Sequence, residues 1–186
     1  MKDHSSCAAG ARHGTGNPSA WAQRWSREIA GGGTVLDLAC GGGRHTRMLA
    51  AAGFRVLAVD RDREALAGIA GVAGVTTQHA DLETGEWRLA GRRFDGILVT
   101  NYLHRPLFPD LLDALVPGGV LIYETFAAGN ERFGKPSNPA FLLRRGELLE
   151  VVRGRLHVIA FEDIEVAQPA PACVQRICAR AFASEV

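Results

Sequence analysis

Between Thr34 and Phe126, short apolar runs alternate with segments of helical pattern, and few folds accommodate that alternation. TVLDLA (34–39), RVLAVD (55–60), VTTQHAD (75–81), FDGILVTN (94–101) and PGGVLIYETF (117–126) read as strands. RHTRMLAAAG, which stops at Gly53, then REALAGIAG and LFPDLLDALV read as the helices between them. Strands joined through helices pair in parallel, through right-handed crossovers. Unbroken apolar strands suit burial on both faces, so helices are expected on each side of the sheet.

The alternation breaks after Phe126. A loop from Ala127 to Ala140, rich in Gly, Asn and Pro, precedes a short helix in RRGELLEVVRG. LHVIAFEDIEVAQ and CVQRICARAFA then read as two closing strands, paired antiparallel. Upstream, NPSAWAQRWSREIA reads as a helix with Asn17 as its cap, and Trp21 and Trp25 on one face. The chain of 186 residues suits one domain, 17–186, behind a small, polar, flexible tail at 1–16.

A formal net charge of +1 supplies no overall drive toward nucleic acid or membrane. No apolar run approaches the ~20 residues of a membrane span, and the N-terminus lacks the apolar core of a signal peptide. The expected compartment is the cytoplasm. Cys7, Cys40, Cys173 and Cys178 have no metal-ligand spacing and read as free thiols, so no metal is expected.

VLDLACGGGRHT carries the chemistry. A strand leading through glycines into a helix N-terminus suits an adenosine-containing cofactor at the carboxyl ends of the strands. A dinucleotide fits poorly, because G-x-G-x-x-G counted from Gly41 requires glycine where Thr46 stands. Asp37, on the incoming strand, would also oppose a pyrophosphate but would suit the ammonium of S-adenosylmethionine. Asp60 ends the second strand at about the 20-residue offset of a ribose-binding acid, and Asp81 ends the third, where it can accept from an adenine amino group.

The segments VLDLACGGGRHTRMLAAAGFRVLAVDRD, HADLET, FDGILVTNYLHRP and LVPGGVLIYETF resemble the ordered motifs of class I S-adenosylmethionine-dependent methyltransferases. The closing segments FLLRRGELLEVVRG, FEDIEVAQ and VQRICARA look like the tail of the tellurite-resistance, TehB-like branch. The resemblance implies a Rossmann-like three-layer α-β-α sandwich with a seven-stranded, mostly parallel sheet whose last strand is antiparallel. It further implies that Asp37, Ala39, Gly41 and Gly43 surround the methionine part of the cofactor. Asp60 would hold the ribose, Arg61 would lie beside the adenine, and Asp81 and Leu82 would read the adenine edge. Asn101 would lie near the reacting sulfonium.

Methyl transfer from a sulfonium demands alignment more than activation. TNYLHRP lacks the Pro-rich run of amine-modifying DNA enzymes and the Pro-Cys of cytosine C5 enzymes. The expected acceptor is therefore a small molecule, with tellurite, selenite or thiols suggested by analogy. A structured RNA, or cofactor binding without catalysis, are the alternatives, and the chain is expected to act as a monomer or homodimer. Tyr102, His104 and Arg105 are the catalytic candidates: His104 as a base, Arg105 as an anion binder or the partner of Asp110. Glu124, Phe126 and Phe133 are the substrate candidates, the last from a loop able to act as a lid. His45 reads as a surface residue of its helix's first turn.

Overall fold

The computed structural model describes residues 16–84 and 87–183. The expected tail lies outside these residues, apart from Gly16. The elements are α1 (Ala20–Trp25), β1 (Thr34–Leu38), α2 (Arg44–Ala51), β2 (Arg55–Asp60), α3 (Arg63–Ala67), β3 (Val75–His79), β4 (Phe94–Thr100), α4 (Phe108–Asp113), β5 (Leu115–Phe126), α5 (Glu147–Val152), β6 (Leu156–Val166) and β7 (Ala172–Ala181).

All seven strands form one sheet in the order β3-β2-β1-β4-β5-β7-β6. β1 to β5 pair in parallel, and β7 runs antiparallel between β5 and β6. The chain reverses direction of travel across the sheet between β1 and β4. An open α/β sheet leaves a crevice at the carboxyl ends of its strands at such a point.

Strand alternation sorts the apolar residues into two cores. Leu36, Leu57, Ile97, Leu121 and Tyr123 face Leu111 of α4 and Leu148 and Val152 of α5. Val35, Val56, Leu98 and Ile122 face Trp21 of α1 and Leu49 of α2. The helices have five to eight residues, fewer than the ~12–15 an isolated helix needs in water. Burial holds them instead, at roughly 1.5–3 kcal/mol for each large apolar side chain. Among the described residues no helix is long and apolar enough to cross a membrane.

Several boundaries differ from expectation, among them the end of the third strand, at His79 rather than Asp81. Ser19, not Asn17, caps α1, its hydroxyl accepting the amides of Trp21 and Ala22 at 3.1 and 3.3 Å. α3 stops at Ala67 instead of running through the following glycine. α4 is short because the chain enters β5 at Leu115, which pairs with Phe94 before the register shifts toward Val120.

Candidate cofactor and acceptor site

The carboxyl end of β1 breaks into a turn from Ala39 to Gly43. Gly41 and Gly43 have φ of 52° and 76°, and a Cβ on Gly43 would lie 2.5 Å from Ile69 Cγ2. Only glycine satisfies both the backbone and the space there. Asp60, at the end of β2, braces this turn: one carboxylate oxygen accepts the Gly41 amide at 2.7 Å and the other the Asp62 amide at 2.8 Å. Arg47 donates to the carbonyls of Gly42 and Gly68 at 2.7 and 2.8 Å, fastening the turn to α3.

Asp37 lies beneath the turn and is 1% exposed. One oxygen accepts the Thr46 hydroxyl at 2.5 Å. The other is buried with no partner among the described residues. Burial, opposed by the Thr46 hydrogen bond, pushes its pKa up to about 7. An unpartnered oxygen on a buried carboxylate is costly, and it fits a ligand that brings a cation to the turn. Thr46, which breaks the dinucleotide pattern, is thus also the residue that holds this acid.

Ala39 and Asn101 both have φ of 54° and are the two described non-glycine residues with positive φ. They follow neighbouring strands, β1 and β4, on either side of the crevice. Strained backbone of this kind persists where the surroundings impose it, and it concentrates at binding sites. The exposed Asn101 donates its backbone N–H to the Glu124 backbone carbonyl at 2.9 Å.

Arg61 directly follows β2 and is exposed; Asp81, expected to end the third strand, is exposed two residues past β3, which stops at His79. Asp81 borders a cavity of about 240 Å³ that is also lined by His79, Ala80, Thr84 and Arg88. Leu82, expected to read an adenine edge, is buried in the core. Its side chain is committed to packing, which leaves its backbone for any ligand contact.

The catalytic candidates separate. Tyr102 packs against the core, and its hydroxyl is buried without a partner among the described residues. Burial and then the charges of Glu83 and Asp81 raise its pKa. Arg105 is not paired with Asp110. It grips Glu147 through two bonds of 2.7 and 3.0 Å and donates to the carbonyls of Ala140 and Leu142 at 2.8 Å. Glu147 is 4% exposed, so Arg105 compensates a buried charge and anchors the loop after β5. His104 is half-buried at the end of the crevice, and its ring has no hydrogen bond to any described residue.

Among the substrate candidates, Glu124 pairs with Arg176 at 3.1 Å. Phe126 is half-buried at the end of β5. Phe133 is 39% exposed, with the Arg132 guanidinium 5.1 Å from its ring. The loop is tied down in its middle: Asn130 is buried, donating to the Pro136 carbonyl and accepting the Cys173 amide. Arg176 and Glu147 carry no sequence signal of their own. His45 does, and the surface reading of it is wrong. It is 2% exposed, accepts the Ser19 amide at 3.0 Å and lies 3.2 Å from the Thr100 hydroxyl. Its i, i+4 relation to the buried Leu49 marks the inward face of α2.

Residues 35–119 match the model of a family described as a methyltransferase domain. The sequence matches no curated protein. The fold is similar to that of TehB from Haemophilus influenzae, with a TM-score of 0.71 and 18% identity over 86% of this chain and 61% of that one. The chain therefore spans less than two thirds of the length of TehB. It is similar to a TehB-like methyltransferase from Corynebacterium glutamicum, with a TM-score of 0.64 and 20% identity over 89% and 90% of the two chains. It is also similar to the glycopeptide N-methyltransferase MtfA, solved with S-adenosyl-L-homocysteine, with a TM-score of 0.65 and 18% identity over 92% and 93%. The seven-stranded class I methyltransferase fold expected from the motifs is the fold observed.

Proposed function

From the premise that residues 35–119 are a methyltransferase domain, we propose that the protein transfers a methyl group from S-adenosylmethionine to a small-molecule acceptor. The observation that carries this reading is the Asp37 oxygen, buried without a partner beneath the glycine turn. An ammonium satisfies it, whereas a pyrophosphate would add negative charge to an acid already disfavoured by burial. The glycine turn lets the ligand approach the backbone, and Asp60 and Asp81 face the ribose and adenine. Tyr102 joins them, its buried hydroxyl finding a partner in the ligand. Ala39 and Asn101 shape the crevice where the methionine part lies.

The cofactor, when bound, supplies a methyl group already activated on a sulfonium. The chain's task is to align the acceptor and exclude water, and alignment can lower the barrier by ~7–11 kcal/mol. His104, with both ring nitrogens free of the described residues, is the residue available to take an acceptor's proton. Arg105 holds the framework and touches no reacting atom.

Isothermal titration with S-adenosylmethionine and S-adenosylhomocysteine tests the reading, with NADH as the rival ligand followed by fluorescence. Saturable binding of the first two is expected. Binding of NADH alone, or no binding of either sulfur ligand at millimolar concentration, overturns it.

A further inference from the structure

Four side chains stand side by side across the upper edge of the sheet, on the face covered by α1. Thr100 pairs with Glu124, Glu124 with Arg176, and Arg176 with Glu162 in the strand registers. The row below, Leu98–Ile122–Cys178–Ala160, is apolar. The row above, Phe126–Val174–Ile164, is apolar as well but only partly covered, and Ile164 is 40% exposed. The polar row begins beside Asn101, where the methionine end of the cofactor is proposed to lie, and runs outward under α1.

The charges of this row do not suit an anion. Arg176 gives Nε and one terminal nitrogen to Glu162, at 2.7 and 2.6 Å, and the other to Glu124 at 3.1 Å. Its Cζ lies over the Trp21 ring, 5.1 Å from the ring centroid. Two carboxylates flank one guanidinium, so the row is net negative, and each glutamate keeps its Oε1 outside the ion pair. Arg105, on the opposite face with α5, is likewise taken up by Glu147 and two carbonyls. An oxyanion at this row would meet two carboxylates and an arginine already engaged by both.

We infer that the acceptor is an amine carried on an apolar body, its ammonium held by Glu124 and its body lying along Phe126, Val174 and Ile164. The inference rests on the methyltransferase reading and names the substrate class for that site. A carboxylate hydrogen-bonded to an ammonium is the charge-assisted case, stronger than a neutral contact. The step balances. The ammonium first loses a proton, and the nitrogen lone pair forms the N–CH3 bond as the S–CH3 bond breaks. The broken bond's electron pair stays on sulfur, leaving a neutral thioether, a methylammonium and one proton in water.

The test has a binding arm and a turnover arm. In the S-adenosylhomocysteine complex, phenethylamine, tryptamine and hexylamine are titrated calorimetrically against 3-phenylpropionate, tellurite and 2-phenylethanethiol. The same compounds are then assayed for S-adenosylhomocysteine release. The amines are expected to bind and react best. Glu124→Gln should weaken amine binding at least about tenfold and raise KM, with S-adenosylmethionine affinity unchanged. Glu162→Gln should do so less, and Glu165→Gln, on the opposite face, not at all. Preferred binding or turnover of the thiol or either anion overturns the inference. So does amine binding unchanged in folded Glu124→Gln and Glu162→Gln proteins. Failure to bind S-adenosylmethionine would instead overturn the reading beneath it.

Discussion

The Asp37 carboxylate holds the Thr46 hydroxyl at 2.5 Å through one oxygen and leaves the other buried and unpartnered. The pair joins the end of β1 to the first turn of α2 across the glycine turn. Thr46→Val removes the hydroxyl donor and leaves the buried acid with only the backbone amide of residue 46. It should lower unfolding stability by about 1–3 kcal/mol, measured by urea denaturation at pH 7.5.

Asp37 and His45 link stability to pH with opposite signs. Burial raises the Asp37 pKa from 3.8 to about 7. Its contribution is therefore fully present below pH 3.8 and is lost as pH rises to about 7. Burial, helped by the Arg44 charge, lowers the His45 pKa from 6.5 to about 4. That contribution is present above pH 6.5 and is lost as pH falls to about 4. The two oppose each other between pH 4 and 6.5. Denaturation at several pH values should show Asp37→Asn gaining stability with rising pH in that window, and His45→Asn losing it. Parallel profiles for the two variants would contradict the assignment.

Ionised Asp37 is the form that receives an ammonium. Below pH 7, S-adenosylmethionine binding should release a proton. Titrations in buffers of different ionisation enthalpy should give heats that differ accordingly, and Asp37→Asn should abolish the difference.

Tyr102→Phe separates ligand contact from packing. The hydroxyl has no partner among the described residues, so its removal should leave stability unchanged or slightly raised. S-adenosylmethionine affinity should fall several-fold by calorimetry. Asp60→Ala should reduce that affinity more and also lower stability, because it frees the Gly41 and Asp62 amides.

Arg105→Ala strips a 4%-exposed Glu147 of its bidentate partner and releases the carbonyls of Ala140 and Leu142. A loss of about 2–4 kcal/mol is expected, with faster proteolysis within 127–143. Affinity for S-adenosylmethionine at a temperature where the variant is folded should change little, which distinguishes an anchor from a ligand-binding residue.

Local chemistry by itself determined the strands, the glycine turn and the three acids near strand ends, because apolar runs and glycines act on their immediate neighbours. It showed Asp37 and Thr46 as informative positions. It did not show that one holds the other, nor that a carboxylate oxygen remains unsatisfied. Distant partners decided the roles of the remaining residues. Arg105 beside Asp110 looked like a local pair until α5 brought Glu147 to it, 42 residues along the chain. Glu124, Arg176 and Glu162 form a row only because β7 inserts antiparallel between β5 and β6. The reason is physical: a charge settles on whichever opposite charge the fold desolvates beside it, and sheet order, not sequence distance, sets that neighbour.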